Sequence, residues 1–400
     1  MIETPFVILQ TSEQQQLVAI GSHRTLECEN TFGALQMLDV FTDQHKGSYI
    51  FLSLSYDLKN AIEVLESNNS NPIAFPSIVA FVPSCVWEVQ NKKAKVVFGE
   101  TNSEFENQLA SFLQPTKEKL PSIEFVPEIS KERYLSDVKE LQEEIQQGNI
   151  YEINFCQHYL GKTPKKNWNP IAVHQQLMAQ TKAPFSAYFA FDELEVFCAS
   201  PERFLEKKGT TLRSQPIKGT AKRSKDPVAD ENLKQALLAS KKETAENVMI
   251  VDLVRNDFSK IAVKNSVKVT ELFGLYTFET VHQMISTIEC EVAESISFVD
   301  ILKATFPMGS MTGAPKISAM KLAEQKESFK RGIYSGAIGY IAPNGDFDLN
   351  VVIRSLVHDT KKRNISCAVG GAITILSDPE AEYDECLVKV GKILALFNGN

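Results

Sequence analysis

The chain has 400 residues, 43% of them apolar and 23% charged, and a formal net charge of −8. That length and composition predict a soluble globular protein with one large domain, or a large domain and a smaller partner region. The negative balance speaks against nucleic acid or an anionic membrane as the main partner. No window nears the roughly 18–20 apolar residues of a membrane span, and the start, MIETPFVILQ, lacks the basic flank and long apolar stretch of a secretory signal. A cytoplasmic protein is therefore expected. The seven cysteines are scattered and form no CxxC pair, and the six histidines form no HExxH pair. Reduced thiols are expected, with neither a disulfide framework nor a zinc site.

In chain order, SIVAFVPSCVWEVQ and KAKVVFG read as strands and SEFENQLASFL as a helix, a smaller mixed α/β unit. Prolines and charges then interrupt the apolar periodicity over 115–131, PTKEKLPSIEFVPEISK, and predict a boundary at 122/123. Beyond it, KERYLSDVKELQEEIQQGNI reads as an amphipathic helix closed by Gly148, and YEINFCQHYL as a strand. SAYFAFDELEVFCAS is strand-like. Residues 228–255 and 378–397 are helical by spacing and by their Ala, Leu, Lys and Glu content. Strands and helices come in irregular runs, which predicts an α+β fold rather than a doubly wound parallel sheet.

Several stretches carry candidate chemistry. In KKETAENVMIVDLVRND, Glu243 and Glu246 stand three apart and share a helix face. Spacing alone serves a surface charge pair equally well. A second such pair, Glu382 and Glu385 in SDPEAEYDECLVKVGKILALF, follows a capping Ser377 or Asp378 and Pro379, with Lys389 one turn on. Two helices each presenting ExxE could hold a hard divalent cation by oxygen, Mg²⁺ being the natural choice. In FPMGSMTGAPKISAM, Gly309, Gly313 and Pro315 precede a predicted helix. Its backbone N–H groups, with Ser310, Thr312 and Lys316, could receive an anion, although the stretch lacks a P-loop ending. A second glycine loop, AVGGAITILSDPE, carries Gly370 and Gly371. Arg354 falls in a predicted strand, NVVIRSL, where an inward guanidinium needs a carboxylate of the protein or of a ligand. Tyr334 in GIYSGAIGY could reach the same anion, whereas His282 reads first as a satisfied, half-buried imidazole. In SQPIKGTAKRS, Pro216 and Gly219-Thr220 mark a tight turn that presents Lys218.

Taken together, SPERF (200–204), PIKGT (216–220), AENVMIVDLVRND (245–257), FPMGSMTGAPK (306–316), YSGAIGY (334–340), VIRS (352–355), VGGAI (369–373) and EYDEC (382–386) resemble the chorismate-utilising enzymes. The resemblance runs in order over roughly 130–397, with only a faint match around FLSLSYDL upstream. It implies large antiparallel sheets in a sandwich-like core with helices packed outside. It also implies a chorismate-binding catalytic domain over 123–400 and a region like that of anthranilate synthase component I over 1–122.

Within that family, alanine at the Lys218 position (PIAGT) is usual for anthranilate synthases, and PIKGT is typical of aminodeoxychorismate synthases. The resemblance thus implies that Lys218 attacks C2 of chorismate as the 4-hydroxyl leaves, and that ammonia then displaces it by attack at C4. The product would be 4-amino-4-deoxychorismate, the precursor of p-aminobenzoate. Glu202 matches the general acid, a role for which burial raises a carboxyl pKa. Lys218 must be neutral to attack, and desolvation with nearby Mg²⁺ is expected to lower its pKa. Glu243, Glu246, Glu382 and Glu385 would carry Mg²⁺. Arg354 and Tyr334 would hold the enolpyruvyl carboxylate, and Gly219, Thr220, His282, Ser310, Thr312, Gly370, Gly371 and Lys389 complete the candidate substrate contacts.

Glu152 stands where relatives often have glutamine and where water-adding members carry a lysine base, which speaks against isochorismate or salicylate formation. The expected partners are chorismate, ammonia and a separate glutamine amidotransferase subunit. Anthranilate synthase component I is the alternative, and an inactive chorismate- or tryptophan-binding subunit a second one.

Overall fold

The computed structural model describes residues 3–12, 14–279 and 281–398. Two large antiparallel sheets form its centre, as expected for the α+β class. The 11-stranded sheet runs, edge to edge, through Gly313–Ala314, Glu152–Lys162, Asn364–Ile373, Ser355–Asp359, Leu194–Ser200, Phe185–Phe191, Phe6–Ser12, Gln15–Ile20, Cys85–Gln90 and Lys93–Gly99, with Val126–Pro127 beside Glu152–Lys162. The 10-stranded sheet runs through Ile217–Lys222, Val281–Glu291, Thr211–Gln215, Arg203–Lys208, Phe347–Asn350, Ala337–Ile341, Ile50–Leu54, Ile78–Val82 and Arg24–Cys28, with Lys268–Thr277 also paired to Val281–Glu291. Both sheets cross the sequence boundary at 122/123.

Strand parity explains the layering. Successive side chains point to opposite faces, and the central strands bury both. Val7, Leu9, Ala187 and Phe189 of the larger sheet meet Phe51, Val79 and Phe81 of the smaller one in the inter-sheet core. Their neighbours Phe6, Ile8, Tyr188 and Ala190 face the opposite way, under Phe112, Tyr134, Val138, Val173 and Val390 of the helices. On the outer face of the other sheet, Leu52, Leu54, Ile78 and Ala80 pack with Leu38, Phe41, Ile250, Val254 and Leu302. Helices therefore cover both outer faces of a sheet sandwich. Each buried Phe or Leu in these layers contributes about 1.5–3 kcal/mol of transfer free energy.

Local signals place several helices as read from sequence. Ser130 accepts from Arg133 N to start Lys131–Gln146, and Gly148 at φ 81° ends that turn. Asp378 caps Pro379–Leu394, and a short 3₁₀ turn, Ala395–Phe397, completes the predicted stretch. The helix predicted over 228–255 is instead two, Pro227–Ala239 and Lys241–Ser259. Ser240 breaks it because its extended backbone (ψ 113°) lets its hydroxyl accept from Glu243 N, a local bond that competes with helix continuation. Two predicted loops are strands: Ile217–Thr220 of PIKGT lie in Ile217–Lys222, and Gly370 and Gly371 lie in Asn364–Ile373. Among the described residues, no helix is long and apolar enough to cross a membrane.

Candidate active site

One end of the sandwich opens into a cleft of about 360 Å³. The strands Glu152–Lys162 and Asn364–Ile373 near one edge of the larger sheet and the edge strand Ile217–Lys222 of the other meet there, and the helices Lys241–Ser259 and Pro379–Leu394 flank it. Lining it are Glu202, Lys218, Gly219, Thr220, Glu243, Glu246, Ser310, Tyr334, Arg354, Gly370, Gly371, Glu382, Glu385 and Lys389. A second concavity of about 550 Å³, around Asp39–Ser48 and Ser297, holds none of these residues.

Lys218 is aimed by a strand irregularity rather than by a turn. Ile217 pairs with Ile285 and Thr220 with Gln283, so the Lys218–Gly219 strand carries one residue more than its partner. Such a bulge breaks the strict alternation of side chains and redirects one of them. Gly219 sits at φ +87°, and a Cβ there would come within 3.0 Å of Glu243 Oε2, so both backbone and space call for glycine. Lys218 is only 8% exposed, and its Nζ donates to Glu152 Oε1 at 2.7 Å. This pair joins the two sheets. Glu246 Oε2 lies 4.0 Å from the same ammonium.

Desolvation acts on Lys218 in the expected direction, without setting the balance in the metal-free cleft. Burial does pull it down, but the Glu152, Glu246 and Glu202 carboxylates outweigh that and hold it above the ordinary lysine value. Glu202 follows Leu194–Ser200 at the point where the chain crosses from one sheet to the other. Its N–H donates to Ser200 Oγ and its carbonyl accepts from Val351 N. Burial pushes its carboxyl up to about 7, so near neutral pH a large fraction carries a proton to donate.

Arg354 is not in a strand: it precedes Ser355–Asp359 at φ 51°, a conformation that costs a non-glycine residue on the order of 1 kcal/mol or more. Among the described residues its guanidinium makes no hydrogen bond or ion pair, and burial lowers its pKa. Tyr334 is buried in the same cleft. Ser310 Oγ is buried without a geometric hydrogen-bond partner among the described residues.

The two ExxE pairs face each other across the cleft from the two helices, interleaved with ammonium groups. Lys242 Nζ donates to Glu382 Oε1 at 2.6 Å and lies 3.9 Å from Glu246 Oε1. Lys389 Nζ pairs with Glu385 Oε1 at 2.8 Å and donates to Gly370 O at 2.9 Å. Burial raises Glu246 to about 7, and its Oε1 has no hydrogen-bond partner among the described residues. This all-oxygen donor set, one member of it unsatisfied, fits a hard divalent cation. As the side chains stand, no three acidic, histidine or cysteine groups among the described residues converge on one ion position.

Three residues singled out from sequence lie elsewhere. His282 is buried behind the cleft wall, its ring nitrogens 3.0 Å from Thr277 Oγ1 and 3.0 Å from Asp230 Oδ1. Thr312 spends its hydroxyl on Met308 O and Gly309 O. Lys316 is paired with Asp257 and donates to Thr305 O. Sequence reasoning missed Lys242, although its i,i+4 spacing to Glu246 was readable, and it missed Glu152 as the partner of Lys218.

A family model for chorismate binding enzymes matches residues 4–395. The chain is 30% identical over 407 residues to aminodeoxychorismate synthase component 1 of Escherichia coli, with 98% of this chain and 88% of that protein covered. It is 33% identical to the Salmonella typhimurium protein of the same name, over 85% and 74%. Its match to aminodeoxychorismate synthase of Arabidopsis thaliana, at 40% identity, takes in 66% of this chain and only 29% of that longer protein. Among solved structures, anthranilate synthase component I from Streptococcus pneumoniae superposes with a TM-score of 0.81 at 25% identity, over 95% of this chain and 92% of that one. With the family model spanning nearly its whole length and a cleft lined by the residues that carried the resemblance, the protein belongs to the chorismate-binding enzyme family.

Proposed function

We propose that the protein is the chorismate-aminating component of an aminodeoxychorismate synthase. It takes ammonia from a glutamine amidotransferase partner and forms 4-amino-4-deoxychorismate. The observation that carries this reading is Lys218: a buried amine in the cleft, hydrogen-bonded to Glu152, with Glu202 lining the same space. The names of the Escherichia coli and Salmonella typhimurium relatives, each a component 1, support a second component as the ammonia source.

In this reading Lys218 sheds its proton to Glu152, the carboxylate in reach at 2.7 Å. The neutral amine attacks C2, the two ring double bonds shift to C1=C6 and C4=C5, and the C4–O bond breaks as Glu202 protonates the departing hydroxyl to water. Ammonia then attacks C4, both double bonds shift back to C5=C6 and C1=C2, and the C2–N bond breaks to return Lys218 as a free amine. Arg354 and Tyr334 orient the enolpyruvyl carboxylate, the one partner a buried, unpaired guanidinium lacks. Glu243, Glu246, Glu382 and Glu385 would hold Mg²⁺. When bound, it supplies positive charge against the ring carboxylate and draws electron density from the ring.

The likeness to an anthranilate synthase structure favours anthranilate formation as the second reading. The two separate on product. With chorismate, Mg²⁺ and ammonium, chromatography should find 4-amino-4-deoxychorismate. Direct appearance of anthranilate with pyruvate would contradict the proposal.

A further inference from the structure

The four cleft carboxylates are not alone. Lys242 stands on the first turn of Lys241–Ser259, next to Glu243, and its side chain spans the gap between the two helices to reach Glu382 at 2.6 Å. The same ammonium lies 3.9 Å from Glu246 Oε1, the buried oxygen with no hydrogen-bond partner among the described residues. One positive charge thus bridges a member of each ExxE pair. Glu246 and Glu382 are 7% and 3% exposed at their side chains, so without that charge two nearly buried carboxylates would face each other across the gap.

We propose that Lys242 is a built-in competitor for the divalent-cation position, occupying the carboxylates of both helices until a metal displaces it. The proposal rests on the metal reading above. An ammonium and a divalent ion cannot both take Glu382 and Glu246 at ligand distance, because the two positive charges would be forced together. The lysine is built to yield. Its side chain is 32% exposed, and its flexible four-carbon stem can carry the charge out to water. Lys389 differs: besides Glu385 it donates to the Gly370 carbonyl, a backbone anchor that Lys242 has no counterpart to among the described residues. Lys242 would therefore weaken metal affinity while keeping the metal-free cleft folded, and metal entry would release it to solvent.

The test uses the full chain and Mn²⁺ as probe, with free Mn²⁺ read by its electron paramagnetic resonance signal. Lys242→Met removes the charge and keeps the stem. It should tighten Mn²⁺ binding about tenfold, or about 1.4 kcal/mol. Lys241→Met, an exposed neighbour on the same turn, should change it less than about twofold. Unchanged or weaker binding in Lys242→Met would overturn the proposal while leaving the metal reading intact. Absence of Mn²⁺ binding in every variant, with and without chorismate, would overturn both. Melting temperature gives a second readout independent of affinity. Lys242→Met should melt lower than wild type without metal and recover with saturating Mg²⁺, whereas Lys242→Arg, which keeps the charge, should need no recovery. A deficit that Mg²⁺ leaves untouched would count against the proposal.

Discussion

The two ends of the cleft treat charge in opposite ways. Along the helices Lys241–Ser259 and Pro379–Leu394, Glu382, Glu385 and Glu246 each have an ammonium within 4 Å, from Lys242, Lys389 or Lys218. At the other end, Arg354 is buried, held at a strained φ of 51°, and paired with no carboxylate of the described protein. In the proposed reading, an acidic cluster neutralised by lysines, with Lys242 the one free to leave, would take a metal. A lone desolvated guanidinium is prepared to take an anion. A substrate with two carboxylates, one bound through a metal and one by arginine, would satisfy both ends at once.

The largest expected effect breaks the chemistry between the two ends. Glu202→Gln keeps the shape and removes the donated proton, and should lower kcat by about 10²–10⁴ with little change in chorismate binding. A loss confined to KM in steady-state kinetics would assign Glu202 to binding instead. Next comes the anion end. Arg354→Met removes a charge-assisted contact worth about 1.5–3 kcal/mol, so KM for chorismate should rise roughly 10- to 100-fold. Normal KM in that variant would mean that the enolpyruvyl carboxylate binds elsewhere.

The smallest effect is on pH dependence. Glu202, held by burial near 7, must be protonated to act, so kcat should fall as pH rises through about 7 and the fall should be absent in Glu202→Gln. The same shift has a stability sign. Because the folded pKa lies above the ordinary 4.5, protonation favours the folded state fully below about 4.5, and that contribution fades as pH rises through about 7. A rate that climbs steadily from pH 6 to 9 would remove Glu202 from the acid role.

Much of this was legible in the sequence, for reasons specific to each residue. The cap Asp378 and the closing Gly148 act within one helical turn, so their helices could be read locally. Each ExxE pair was visible because three-residue spacing sets a shared face, but their meeting across the cleft is tertiary. So is the pairing of Lys218 with Glu152, which are 66 residues apart and on different sheets. The break at Ser240 hid inside helix-favouring composition, because one serine hydroxyl decided it. PIKGT looked like a turn because proline and glycine mark turns and bulges alike. Only the pairing to Ile285 and Gln283 shows that the extra residue sits in a strand. Arg354 was read as extended from its apolar neighbours, which say nothing of a residue held at positive φ.

The bulge at Lys218–Gly219 exists to put one amine where the two sheets meet, and whether that amine bonds to the ring decides the chemistry. Intact-protein mass spectrometry after incubation with chorismate and Mg²⁺ in the absence of ammonia tests this directly. A single adduct on Lys218, absent from Lys218→Ala and discharged by added ammonium, is the expected result. An unmodified Lys218 in a preparation that still aminates chorismate would contradict it.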